Sequence, residues 1–177
     1  MLMAFASSAF AKNHFEFLGV PIDGPVALFV QQLRPMGFSP VGSPGRLSVM
    51  QGLYSSFGQS EIVIESLPQK SCVWGLTVHS SAHSDWNTLL SGYYTMKSQL
   101  IRTYGSPTFS TERFYTQVST NADCLSALAE GTATYKSVFE TEDGQVDLVI
   151  WNDEQYGPHL LLSFIDKGNS ERHPFNL

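Results

Sequence analysis

The stretch from Ser84 to Pro107 constrains the fold more than any other part of the chain. Its apolar residues recur every three or four positions and polar residues fill the opposite side, as in an amphipathic helix of about five turns. Ser84 or Asp85 is the candidate N-cap, and Gly105 followed by Pro107 is a stop signal. The residues predicted to face the core are Trp86, Leu89, Leu90, Tyr93, Met96, Leu100, Ile101 and Tyr104.

Segments with the alternation and β-branched content of strands lie on both sides of this helix. A shorter helix is predicted with Asp23 or Gly24 as its cap, Pro25 in its first turn and its end at Leu33 or Arg34. A second short helix is expected over residues 121–130. We therefore predict an α+β fold with two helix-plus-three-strand halves, helices packed on antiparallel sheet. Residues 12–177 are expected to form a single globular domain with halves of about 12–83 and 84–177. The six strands are predicted at residues 47–51, 61–67, 72–79, 135–141, 145–151 and 159–165.

Composition narrows the classes of partner. The chain has 177 residues, is 42% hydrophobic and carries a formal net charge of -6. An acidic chain without a Lys/Arg cluster repels a phosphate backbone, so nucleic acid is not expected as a partner. No apolar run approaches the roughly 20 residues that a membrane-spanning helix needs, so no transmembrane segment is expected.

Residues 1–11 resemble the end of a secretory signal peptide. A short apolar run ends in Ala9-Phe10-Ala11, the small-x-small pattern that signal peptidase accepts, and cleavage there would leave Lys12 first. No Lys or Arg precedes the run, and an apolar arm packed on the domain is the alternative interpretation. The pattern favours an exported protein, periplasmic or extracellular.

A resemblance supports export. Residues 17–24 read Phe-Leu-Gly-Val-Pro-Ile-Asp-Gly and are followed by a short helix, by Gly37-Phe38 and by Gly52-Leu-Tyr54. This resembles the opening of a group of uncharacterised exported bacterial proteins with an F-x-G-[IV]-P-[IL]-D-G stretch after the signal peptide. The resemblance covers about the first third of the chain and implies export without a specific function. The overall layout is similar to the tandem helix-plus-meander modules of β-lactamase-inhibitor-like proteins, an analogy of fold alone.

Few residues suggest chemistry. His79, His83 and Asp85 lie within seven residues and would suit a zinc ion if their loop curled around it. The alternative is a polar loop in which Ser84 or Asp85 caps the following helix. No G-x-S-x-G nucleophile motif and no phosphate-binding loop is present, and no cofactor is predicted. A small hydrolase or metal-dependent enzyme that uses this loop is therefore the second hypothesis for function.

Cys72 and Cys124 are the two cysteines of the chain. In an exported domain two cysteines suffice for one disulfide, which would close a loop of about 50 residues and restrict the unfolded chain by roughly 4 kcal/mol. Two separately buried thiols are the alternative. No C-x-x-C motif is present, so redox catalysis is not indicated.

The last three predicted strands have two unequal faces. One face is fully apolar and is expected against the central helix: Phe139, Val146, Leu148, Ile150, Leu160, Leu162 and Phe164. The reverse face mixes polar residues with Val149, Trp151 and Leu161, which become neighbours if the last two strands pair antiparallel. Either another segment covers this face or it binds a protein partner or small ligand with Trp151 as anchor. We favour an exported binding or protein-interaction module over an enzyme.

Overall fold

The computed structural model describes residues 13–42, 47–67 and 72–170, so the predicted signal segment lies outside the described residues. Its helices and strands follow in chain order. They are β1 (Glu16–Phe17), β2 (Val20–Pro21), α1 (Val26–Leu33), β3 (Ser39–Gly42), β4 (Leu47–Tyr54), β5 (Gly58–Leu67), β6 (Cys72–Ser80), α2 (Trp86–Tyr104), β7 (Phe109–Phe114), α3 (Asn121–Ala129), β8 (Ala133–Glu140), β9 (Gly144–Asp153), β10 (Gly157–Asp166) and α4 (Lys167–Ser170).

One large antiparallel sheet dominates the described part of the chain. Its eight strands lie in the order β3-β4-β5-β6-β10-β9-β8-β7, and β1 with β2 forms a separate small hairpin. The strands before α2 and the strands after it meet where β6 pairs with β10, from Leu161 opposite His79 to Ile165 opposite Gly75. Both groups of strands thus belong to one continuous sheet.

The predicted mixture of helices with antiparallel strands is confirmed, and all six predicted strands are present. The layout of two helix-plus-three-strand halves is not confirmed. Each group contributes four strands to the sheet, because β3 and β7 add an edge strand on either side. Among the described residues, no helix is long and apolar enough to cross a membrane.

The helix α2 begins and ends where its sequence signals predict. The Asp85 carboxylate accepts hydrogen bonds from the Thr88 backbone amide and hydroxyl, both at 2.7 Å, and Gly105 is the C-cap with a φ of 85°. One predicted core position is wrong, since Ile101 is 41% exposed. The fully buried positions are Trp86, Leu89, Tyr93, Met96 and Leu100.

Three contacts connect α2 with the strands of the second group. The Tyr93 hydroxyl lies 2.7 Å from the Ser137 hydroxyl on β8, and the Trp86 ring meets the Tyr135 ring edge-on at 5.0 Å. Gly92 faces Leu160 on β10 so closely that an added Cβ would lie 2.8 Å from its Cδ1 atom. A side chain at position 92 would therefore require the Leu160 side chain to move.

The core lies on one face of the sheet, which we call the inner face. Strand pairing aligns one buried residue from each of four neighbouring strands: Ile62, Val78, Leu162 and Leu148. All seven residues predicted for the apolar face of the last three strands are buried and join a single cluster with α2. Because successive side chains of a strand alternate, the residues between them face the opposite, outer side.

Cys72 and Cys124 are not joined in the structure, and both thiols are free. Cys72 begins β6, and its thiol donates a hydrogen bond to the Asp23 carboxylate at 3.0 Å. Cys124 lies in the first turn of α3, whose Thr120 side chain caps the helix. The second of the two alternatives, separate thiols, describes the structure.

Candidate functional site

The predicted patch of Val149, Trp151 and Leu161 lies on the outer face of the sheet. Val149 on β9 and Leu161 on β10 are direct cross-strand partners, and Trp151 lies two residues further along β9, opposite His159. Val149 and Leu161 are half-buried, whereas Trp151 is 49% exposed. The predicted adjacency of the three residues is confirmed, and their role in binding stays a prediction.

These residues line a concave groove of about 410 Å³ on the outer face. Small side chains form its floor, because Thr77, Ser163 and Gly75 occupy neighbouring positions of β6 and β10. Larger apolar side chains rise around them: Val149, Trp151, Leu161, Ile165 and Trp74. The groove therefore results from small residues at the centre of the sheet and large ones around them.

A β-bulge brings Trp74 into the groove. Along β6, Gly75 pairs with Glu65 and Val73 pairs with Ser66, so Trp74 is an extra residue without a counterpart on β5. Val73 belongs to the core cluster, while Trp74 lines the groove beside Gly75. Without the bulge, strict alternation would place Trp74 on the inner face with Leu76 and Val78.

The neighbouring strand approaches the backbone of Gly75 closely at the bulge. A Cβ added there would lie 3.0 Å from the Phe164 carbonyl oxygen. The absent side chain also leaves open space between Glu65 on β5 and Ile165 on β10, which are the two cross-strand neighbours of Gly75. One end of the groove is therefore deepened by a missing side chain.

The charged groups of the groove differ in how they are neutralised. Lys136 forms an ion pair with the buried Asp147 at 2.9 Å, and Asp147 also accepts a hydrogen bond from the Gln145 amide. Glu65 is half-buried at the other end, and burial raises the pKa of its carboxyl group. Within the described ranges, the Glu65 carboxylate makes no hydrogen bond and no ion pair.

A chain of hydrogen bonds, here called the histidine chain (Thr77, His79, His159 and Gly157), adjoins the groove. The Gly157 carbonyl only accepts, so the His159 Nδ1 atom carries a hydrogen and donates to it at 2.8 Å. In a neutral ring His159 Nε2 then accepts from His79 Nδ1 at 3.0 Å. His79 Nε2 in turn accepts from the Thr77 hydroxyl at 3.0 Å. Each ring nitrogen thus has a defined partner.

The environment keeps His79 neutral. Burial first, and then the neighbouring His159 ring, lower the pKa of His79 to about 4. Burial likewise lowers the pKa of His159. The Tyr156 ring stacks on His79 at 4.2 Å, and its hydroxyl donates to the Glu61 carboxylate on β5. The turn between β9 and β10 therefore covers the histidine chain at this end of the outer face.

The three residues of the second hypothesis, His79, His83 and Asp85, are not brought together. His79 forms a hydrogen bond with His159 on the outer face, while Asp85 caps α2. His83 and Asp85 line a different depression of about 480 Å³ beside α2. Among the residues that the structure describes, no group of three or more His, Cys, Asp or Glu side chains is placed to hold a metal ion.

Sequence reasoning missed several residues of this surface, above all Trp74, Glu65 and the partner of His79. A glycine inside a strand pattern often marks a bulge, so Gly75 was the one available signal for Trp74. Nothing in the sequence pairs His79 with His159, because they are 80 residues apart and meet only through the pairing of β6 with β10.

Comparison with other proteins adds no further information on this surface. No protein-family model, no curated protein and no solved structure matches the chain.

Proposed function

We propose that this protein is a binding module whose ligand occupies the outer-face groove. The observation that carries the proposal is Trp151, a large aromatic side chain that remains 49% exposed at the rim of an apolar groove. An exposed ring beside apolar walls costs hydration free energy that a bound ligand would recover. Tryptophan is also among the residues that most often dominate binding free energy.

The size and composition of the groove support a small ligand over a broad protein surface. Its volume of about 410 Å³ lies within the range typical of small-molecule sites. Val149, Leu161 and Ile165 provide the apolar lining, and the polar Thr77 and Ser163 provide a few hydrogen-bonding groups. Such a lining, mostly apolar with a few polar groups, is typical of sites that bind and orient a small molecule.

A neutral fluorescent probe tests this proposal. N-phenyl-1-naphthylamine, titrated into the full chain, should bind with saturable one-to-one stoichiometry and a rise in emission. Trp151→Ala should weaken its binding about tenfold or more, which corresponds to roughly 1.4 kcal/mol. The same substitution should change the free energy of unfolding by no more than about 1 kcal/mol, since the ring is half exposed.

Tyr115→Ala is the matched control, because Tyr115 is a similarly exposed aromatic residue that does not line the groove. It should leave probe binding unchanged. Equal effects of the two substitutions, or probe binding that does not saturate, would contradict a site in the groove. A large loss of stability in Trp151→Ala would show that the ring supports folding.

We further propose that the protein is exported. The Ala9-Phe10-Ala11 pattern and the resemblance of residues 17–24 to exported bacterial proteins support this proposal. The mature protein recovered from its native host should then begin at Lys12 and lie in the periplasmic or extracellular fraction. Intact-mass measurement of protein that retains Met1 in the cytosolic fraction would contradict export.

The internal organisation is also a proposal. We infer that the strands on either side of α2 form two related halves, each with its helix packed against the sheet. The contacts of α2 with Tyr135, Ser137 and Leu160 support this for the second half. For the first half, Phe29 and Leu33 are the buried residues of α1 and belong to the same core cluster.

A further inference from the structure

The groove contains one charged side chain that the described residues do not neutralise. Lys136 and Asp147 neutralise each other across the strands β8 and β9. Glu65, at the opposite end, makes no ion pair and no hydrogen bond among the described residues. A half-buried carboxylate without a partner is costly, and burial has already raised its pKa. A positive charge brought by a ligand would offset this cost.

The space around Glu65 is suited to such a group. Gly75, its cross-strand partner, has no side chain and leaves the carboxylate open to the groove from the side of Ile165. Trp74, displaced outward by the bulge, adds an aromatic side chain to the same end. An aromatic ring attracts organic cations, so Trp74 would add to the attraction of the Glu65 carboxylate.

The remainder of the groove is apolar. From Glu65 on β5, the lining continues through Ile165 and Leu161 on β10 to Val149 and Trp151 on β9. A ligand that fits must therefore carry its charge at one end and an apolar body at the other. Net charge agrees with this polarity, since a protein of net charge -6 raises the local concentration of cations at its surface.

We propose that the groove binds a free amphipathic organic cation, with its ammonium group at Glu65 and its apolar body along Ile165, Leu161 and Val149 up to Trp151. This assignment rests on the proposed binding function. The occupant is a free small molecule and not a lipid headgroup, because the apolar part of the ligand lies inside the groove and cannot remain in a bilayer.

Three probes of equal chain length test the assignment: decyltrimethylammonium, decyl sulfate and 1-decanol, each kept below its aggregation threshold. Binding is followed by tryptophan fluorescence of the full chain. The cation should bind at least about tenfold more tightly than the sulfate. Glu65→Gln should remove most of this preference while leaving decanol binding unchanged, because only the charge at that end is altered.

Glu140→Gln is the matched control, since Glu140 is an exposed carboxylate of β8 that does not line the groove. It should leave all three affinities unchanged. Trp151→Ala should weaken the binding of all three probes alike. This pattern separates the contribution of charge from that of the apolar walls.

Each contrary outcome has a distinct meaning. The cation assignment is overturned if the cation and the sulfate bind equally well, or if Glu65→Gln leaves the preference unaltered. The groove remains a binding site in that case if Trp151→Ala still weakens decanol binding. Absence of saturable binding for every probe overturns the binding function as well. Co-sedimentation with phosphatidylcholine vesicles that is lost in Glu65→Gln would overturn the choice of a free molecule.

Discussion

At the scale of single residues, the histidine chain links the site to pH. His79 is held neutral by burial and by the His159 ring, although the nearby Glu61 and Asp153 carboxylates act in the opposite direction. The unfolded chain takes up this proton near the ordinary value of about 6.5, whereas the folded protein resists until about pH 4. Between these values the unfolded state binds more protons, so the folded protein loses stability as the pH falls.

We expect the free energy of unfolding to decrease by roughly 3 kcal/mol at most between pH 6.5 and pH 4 on account of His79. Urea denaturation at a series of pH values measures this loss. His79→Gln should make the dependence shallower in that window. His83→Gln, which removes an imidazole outside the histidine chain, should keep the wild-type slope, and equal slopes for all three proteins would contradict the explanation.

The two thiols give a second prediction at this scale. Cys72 is half-buried, and burial together with its hydrogen bond to Asp23 raises the pKa of the thiol to about 11. In the Cys124→Ser variant, Cys72 should therefore react slowly with Ellman's reagent at pH 8 and rapidly after unfolding, because the thiolate is the nucleophile. A gain of two hydrogens in intact mass on reduction of the native protein would show a disulfide instead.

At the scale of single elements, substitutions in α2 test which face of the helix is buried. Leu100 is 5% exposed in the core cluster, and the adjacent Ile101 is 41% exposed. Leu100→Ala should cost about 2 to 5 kcal/mol of unfolding free energy, because it removes buried methyl groups and leaves a cavity. Ile101→Ala should change stability by only about 0.5 kcal/mol. Chemical denaturation of both variants compares them, and equal costs would contradict the assigned orientation.

Some helices and strands could be predicted from the sequence, and others could not. Periodicity located α2 and the long strands, because each buries one face and its apolar residues repeat accordingly. It did not locate β3 or β7, since edge strands bury little and Phe109–Phe114 is mostly polar. The patch of Val149, Trp151 and Leu161 followed from alternation. The positions of Glu65 and Trp74 depended on the bulge between β5 and β6, and the contact of His79 with His159 depended on the register between distant strands.

At the scale of the whole molecule, the pairing of β6 with β10 makes the two groups of strands dependent on each other. Residues 161–165 pair with residues 75–79, and the buried cluster continues across this pairing. Unfolding either group would expose the inner face of the other, so the protein should unfold in a single cooperative transition. Urea curves from tryptophan fluorescence and from far-UV circular dichroism should coincide, and two separated transitions would contradict a single domain.

The bulge at Trp74 has a consequence for how such a site arises or disappears in evolution. Point substitutions alter the lining of the groove one side chain at a time. Loss of the single codon for Trp74 would instead remove the bulge and restore strict alternation, with Gly75 still opposite Glu65 and Val73 still opposite Ser66. The groove would lose the Trp74 ring, while Val73 would keep its place in the core. Descendants of this gene that differ in length by one residue within β6 would therefore keep the sheet and differ in the capacity to bind.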